Sequence, residues 1–249
     1  MQRQAETIGK RWDYCADGYD ALVQNEFAEE LAEKWSEILK NHAPCEKGKV
    51  LDIGTGPGFF AVLMGRMGWQ VTGIDCSEKM VETAARNAGK AGVHAEFYQM
   101  DNHQLDFPED TFDYIICRNV TWILYDPLRA LEEWKRVLKP GGQLLNFDAN
   151  WYGHLFDAEK RREYEEDRKH VEEQAMEDHY IGTDIDEMEE IARNVPLSPV
   201  IRPAWDMKVL KNLGFQSVHT DEQVWQRVWS DTEKVNYAST PMFMIKAVK

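Results

Sequence analysis

The sequence predicts an α/β fold with helices on both faces of a largely parallel sheet. Short apolar runs such as Val50 to Ile53, Gln70 to Ile74 and Tyr114 to Cys117 have the length and β-branched character of buried strands. Between them lie segments with helical spacing, and a glycine-rich turn joins the first strand to the first of those helices.

Lys49 to Asp75 organises the chain. A strand ends at Ile53, and Gly54, Gly56 and Gly58 follow as three glycines in five residues, which lets the backbone turn sharply and approach a ligand closely. Pro57 is placed to begin a helix, whose apolar face is Phe59, Phe60, Val62, Leu63 and Met67. A second strand ends at Asp75, where nucleotide-binding βαβ units set a carboxylate against ribose hydroxyls. The glycine spacing disfavours a dinucleotide, because Phe59 stands where the third glycine of that fingerprint belongs.

The loop Asp52-Ile53-Gly54-Thr55-Gly56-Pro57-Gly58 closely resembles the motif of class I S-adenosylmethionine-dependent methyltransferases, of the type 11, small-molecule kind. The resemblance implies a seven-stranded Rossmann-like methyltransferase sheet, six parallel strands plus one antiparallel, with a helical insertion after strand 5. It makes S-adenosyl-L-methionine the cofactor and S-adenosyl-L-homocysteine the product. Asp52, Gly54, Thr55, Gly56, Gly58, Asp75, Cys76 and Met80 fall at its cofactor positions. Asp101 and Asn102, after the strand Ala95 to Gln99, fall where the adenine is held, and Asn119, after the fourth strand, where the methionine moiety is contacted. Tyr19 and Tyr14 match a Tyr-Asp lid element over the cofactor. His103, on a loop, is expected at the surface.

Ser77 is a natural N-cap for a helix reaching Lys90, and Leu-Lys-Pro-Gly-Gly at 138–142 closes a helix from Pro127 before a fifth strand, Gln143 to Phe147. Trp122, Asp148, Trp151 and Tyr152 then lie at the carboxyl edge of the sheet as acceptor-binding candidates, with His154 as the candidate base. The chain divides into an N-terminal helical lid segment (1–46), a cofactor-binding core (47–150), a helical insertion or cap (151–204) and a C-terminal completion of the sheet (205–249). Within the insertion, a solvated helix is expected over Asp157 to Gln174, a second from an Asp184 cap to Asn194, and an extended connection through Pro196, Pro199 and Pro203. An amphipathic helix is expected from about Ala21 to Lys40, after a Gly18-broken segment, and Met242 to Val248 reads as the antiparallel strand.

The 249 residues carry a formal net charge of −15, which disfavours phosphate backbones and anionic lipid as partners. Four cysteines without C-x-x-C spacing signal neither a disulfide framework nor a metal site, and the N-terminus has no apolar signal core. The expected protein is a cytoplasmic methyltransferase of a small-molecule acceptor, in which Trp151 to Pro203 and the segment around Trp12 to Tyr19 form a movable cover over the acceptor pocket. The alternative for the charged helices of the insertion is a homodimer contact. For the protein as a whole the alternatives are a non-catalytic cofactor-binding protein on the same fold, or a protein or RNA methyltransferase.

Overall fold

The computed structural model describes residues 2–28, 30–179 and 185–249. Helices α1 (Gln2–Ala28) and α2 (Leu31–Asn41) precede β1 (Lys49–Ile53), α3 (Phe59–Arg66), β2 (Gln70–Asp75), α4 (Glu78–Lys90) and β3 (Ala95–Gln99). Then come β4 (Phe112–Arg118), α5 (Pro127–Val137) and β5 (Leu138–Asp148). After these lie α6 (Ala158–Glu173), α7 (Ile185–Arg193), α8 (Ala204–Asn212), β6 (Ser217–Asp221), α9 (Trp225–Val228), α10 (Asp231–Asn236) and β7 (Phe243–Val248).

One seven-stranded sheet runs in the order β3-β2-β1-β4-β5-β7-β6. Six strands are parallel, and β7 lies antiparallel between β5 and β6. The pleat sorts alternate residues of the central strands into two cores. Val50, Tyr114, Ile116 and Phe147 meet Trp35 and Leu39 of α2 and Phe60 of α3, while Leu51, Ile53, Ile115 and Leu144 meet Leu131 and Trp134 of α5 and Leu210 of α8. Burial on both faces explains why these strands read as continuous apolar runs.

Several elements depart from the sequence expectations. The helix expected over 21–40 is two helices, and Gly18 does not break the first: a Cβ there would meet nothing within 4 Å, so this glycine costs only its propensity, about 1 kcal/mol. Helix α1 is instead held along its length by α4. Asp13 accepts from Ser77 Oγ at 2.6 Å and from the Lys79 N–H at 3.2 Å, and Asp20 accepts from Asn87 at 2.8 Å. Pro57 stands outside α3, whose cap is Gly58 at φ 89°. The 138–142 run belongs to β5 rather than closing α5, and it bulges: Phe112 pairs with Leu138 but Tyr114 with Gln143.

The insertion also differs. The helix expected over Asp157 to Gln174 is α6, capped by Asp157, but it is anchored on one side, with Val171 buried and Asp167 accepting from the Ser239 N–H at 2.9 Å. The expected Asp184 cap lies outside the described residues. The stretch through Pro196 and Pro199 forms consecutive turns rather than an extended connection, with the Val200 N–H donating to the Leu197 carbonyl at 3.1 Å. No described helix is long and apolar enough to cross a membrane.

Asp148 requires a larger correction, because it contacts no cavity. It is fully buried, and its Oδ2 accepts from Arg202 Nη1 at 2.8 Å, from the Trp122 N–H at 2.8 Å and from the Thr121 hydroxyl. Its Oδ1 accepts from the Ala149 N–H at 2.9 Å and from the Trp151 indole at 3.0 Å. Arg202 is also paired with Asp206 at 2.6 Å, all three charged side chains being almost completely buried. Removing the guanidinium leaves two carboxylates uncompensated in the interior. Arg202→Ala should therefore cost about 3–5 kcal/mol of unfolding free energy in urea; a cost below about 1 kcal/mol would mean that this cluster does not hold the sheet edge to the insertion.

Candidate active site

The three glycines after β1 all adopt the left-handed conformation, at φ 63°, 51° and 89°, but do different things. A Cβ on Gly54 would come within 2.4 Å of Val120, and one on Gly58 within 3.1 Å of Ala84, so those two glycines permit packing. A Cβ on Gly56 would meet nothing within 4 Å, because it faces a cavity of about 510 Å³. Gly58, expected at the ligand, is outside the cavity lining and serves α3 against α4.

Two aspartates brace the loop. Asp52, 2% exposed, accepts from Thr55 Oγ1 at 2.7 Å and from the Ala61 N–H at 3.1 Å, and burial pushes its carboxyl up to about 7 despite those bonds. Asp75 accepts from the Gly56 N–H at 3.0 Å and the Ser77 N–H at 2.9 Å, and burial raises it against these bonds and those from Cys76. Asp75 lines the cavity beside Gly56. Thr55, Cys76 and Met80 line the same space, with the Cys76 thiol pushed up mainly by burial.

At the far end, beyond β3, Asp101 behaves differently. Its Oδ1 lies 2.6 Å from His103 Nδ1 and its Oδ2 accepts from the Tyr125 hydroxyl at 2.6 Å, while the His103 and Tyr125 rings stack 3.6 Å apart. Burial raises the carboxyl, but these bonds outweigh it and hold Asp101 down at about 2. His103 is 4% exposed, so the expected surface histidine is an internal prop; the Asp126 N–H donates to its Nε2 at 3.3 Å, which leaves the ring proton on Nδ1 toward Asp101. Asn102 lines the cavity with its side-chain oxygen buried and lacking a hydrogen-bond partner.

At the end of β4, Arg118 and Glu26 of α1 form a bidentate pair at 2.7 and 2.8 Å, and the guanidinium sits 4.9–5.2 Å from the Trp35, Phe59 and Phe60 rings. Neither member was singled out in the sequence, although an arginine directly after an apolar strand is a readable signal. Asn119 lines the cavity at φ 60°, its N–H donating to the Phe147 carbonyl at 2.8 Å. Trp122, Trp151 and Tyr152 line it too, with the Trp122 and Tyr152 rings 4.8 Å apart. His154 is 5% exposed, stacks on Tyr164 at 4.2 Å and places Nε2 3.4 Å from Glu189. Burial lowers its pKa against the opposing pull of Glu189, which leaves a neutral imidazole near pH 7. Tyr19 lines the cavity, its ring edge-on to Trp12 at 5.2 Å; Tyr14, 77% exposed on another face of α1, does not.

A glycine cradle, a carboxylate behind it and a second carboxylate one strand over, at the carboxyl edge of a 3-2-1-4-5-7-6 sheet, form the arrangement in which open α/β sheets hold nucleosides. Residues 51–146 match the methyltransferase domain family. Phosphatidylethanolamine N-methyltransferase of Cereibacter sphaeroides is 33% identical over 123 residues, covering 48% of this chain and 60% of the relative. Ubiquinone biosynthesis O-methyltransferase of Dinoroseobacter shibae is 32% identical over 116 residues, 47% of each chain. Both alignments thus cover less than two thirds of the relative's own length. A SAM-dependent methyltransferase from Aquifex aeolicus shares the fold, with a TM-score of 0.56 at 23% identity over 85% of this chain and 87% of that one. Over residues 51–146 the chain is thus similar to the methyltransferase domain family, and its sheet has the fold of S-adenosylmethionine-dependent methyltransferases. The site fits that family's cofactor, since the Gly56 cradle is open, Asp75 lines the cavity beside it and the Asn102 oxygen is unpaired.

The raised Asp52 carboxyl has a measurable consequence. Its contribution to stability is fully present below the unfolded value of 3.8 and is lost as pH rises through about 7. Asp52→Asn should therefore show a shallower loss of urea resistance between pH 4 and 7 than the parent; parallel curves would place the Asp52 ionisation outside that window.

Proposed function

We propose that the protein transfers a methyl group from S-adenosyl-L-methionine to a small-molecule acceptor by direct in-line displacement. The observation that carries this reading is that Gly56, Asp75 and Asp101 share one cavity with the aromatic wall of Trp122, Trp151 and Tyr152. Asp75 would accept from the ribose hydroxyls, Asp101 and Asn102 would hold the adenine edge, and the Gly54–Gly56 backbone with Asn119 would hold the methionine end. When bound, the cofactor supplies a methyl carbon whose bond to sulfur breaks as the acceptor's lone pair bonds to that carbon, the sulfur keeping the electron pair. The chain's own work is then alignment and exclusion of water, and alignment alone is worth several kcal/mol, up to about 7–11 in favourable models.

His154 is the lining group suited to take a proton from the acceptor, being neutral near pH 7 and oriented by Glu189. Segment 1–46 and insertion 151–204 would act as a cover over the core, 47–150, with 205–249 completing the sheet. The support is a small apolar cluster in which Ile8 and Trp12 of α1 meet Met188, Ile191 and Ala192 of α7 and Trp122 and Tyr152 below them. The acidic surface and the free thiols suit a cytoplasmic enzyme that handles neither nucleic acid nor membrane.

Calorimetry with S-adenosylhomocysteine tests the cofactor assignment. Gly56→Val should abolish binding, and Asp75→Ala should weaken it by about 1.5–3 kcal/mol; parent affinity in both would refute it. His154→Ala should lower turnover of an identified acceptor by roughly 10²–10⁴-fold while leaving that affinity unchanged. Hydrogen exchange should slow across 8–20 and 151–203 when S-adenosylhomocysteine is added. Unchanged protection there, with full activity after the helical part is replaced by a short linker, would instead make the insertion a homodimer contact.

A further inference from the structure

The part of the cavity farthest in sequence from the glycine loop has its own chemistry. Trp151 and Trp229 flank Tyr237, at ring separations of 5.3 and 5.7 Å, and His179 lies 5.5 Å from the same ring. All four line the cavity, as does the carboxylate of Glu233 from the first turn of α10. Glu233 Oε2 accepts from the Ser230 N–H at 2.8 Å and hydroxyl at 2.9 Å, and among the described residues no ion pair compensates its charge. Burial raises its pKa, with Glu26 adding to that shift and Arg118 opposing it from a distance. Glu177 and Glu189 also line the space.

The cationic side chains of the described lining are committed elsewhere. Arg118 is bidentate with Glu26, Arg11 pairs with Glu187 at 2.6 Å, and no lysine lines the cavity among the described residues. A phosphate- or carboxylate-bearing acceptor would have to displace an internal carboxylate from its guanidinium. A neutral phenol would leave Glu233 buried more deeply without a counter-charge, which is unfavourable. An alkylammonium group meets both features at once: aromatic faces attract it and the carboxylate neutralises it.

Resting on the methyl-transfer reading above, we propose that the acceptor is an amine carrying no phosphate or carboxylate group, seated as an ammonium among Trp151, Tyr237, Trp229 and Glu233. Such an amine must give up its proton before its nitrogen lone pair can accept a methyl group. The neutral His154 imidazole of the same lining is the group to receive it.

A charge-matched probe series tests this by calorimetry on the full chain, with and without S-adenosylhomocysteine: choline, its uncharged carbon counterpart 3,3-dimethyl-1-butanol, and phosphocholine. Choline should bind at least about tenfold more tightly than either of the others. Glu233→Gln, which preserves the capping box, should reduce that preference to below about threefold without changing the affinity for the alcohol. Tyr237→Leu should weaken choline alone. Equal binding of the three, preference for phosphocholine, no detectable choline binding, or an unchanged preference in Glu233→Gln would each overturn the proposal. If the choline preference persists while S-adenosylhomocysteine fails to bind, the ammonium site stands and the cofactor reading falls. Cofactor binding without a choline preference gives the reverse.

Discussion

The buried pair between Asp148 and Arg202 is the contact on which the functional edge of this molecule depends. Asp148 ends β5, Arg202 closes the insertion, and the two sides are clasped again where Asn150 and Arg202 exchange hydrogen bonds at 2.9 and 3.0 Å. Around fifty residues therefore leave and return through one fixed root. The same carboxylate orients the Trp122 backbone and the Trp151 indole, so both aromatic walls are referenced to the sheet rather than to the insertion's own helices. Burying three charges is costly, and well-packed apolar residues often do as well or better for stability. What an ion cluster adds here is direction: every oxygen and nitrogen in it has a partner at one angle, and the loops it joins inherit that geometry.

Charge is handled in opposite ways at the two ends of the nucleoside half. Asp52 and Asp75 lie deep, and burial dominates them even though backbone amides donate to both. Asp101 is more accessible and is held ionised by His103 and Tyr125. The outer carboxylate thus keeps its charge toward the cavity, while Asp52 spends its acceptor capacity on the shape of the loop.

Local chemistry decided what was legible in the sequence. The strands along the chain and the glycine loop are readable because strand periodicity and an N-cap at Ser77 act over a few residues. Strand β3 falls where the apolar pattern places it, at Ala95–Gln99. Roles set by distant contacts were not readable. Gly56 and Gly58 look alike in the chain, yet only Gly56 opens on the cavity, because Ala84 of another helix fills the space beside Gly58. Asp148 was placed correctly at the sheet edge but assigned to a ligand, since nothing near it in sequence announces an arginine 54 residues away. His103 read as a surface residue for the same reason: its partner Tyr125 arrives from the next loop. Tyr14 and Tyr19 fell on opposite outcomes because α1 is an unbroken helix, which turns residues five apart toward different surroundings.

The placement of the cavity's two halves along the chain bears on how such a protein can diverge. The loop, Asp75 and Asp101 lie within the stretch that matches the family, whereas Trp151, Tyr152, Glu233 and Tyr237 lie beyond its end at residue 146. Substitutions on separate elements with no shared partners act nearly independently. Drift in the later segments can therefore remodel one chamber while the other stays chemically intact. Lineages sharing the first half would then be expected to look alike where they bind the nucleoside and to differ in what they place beside it.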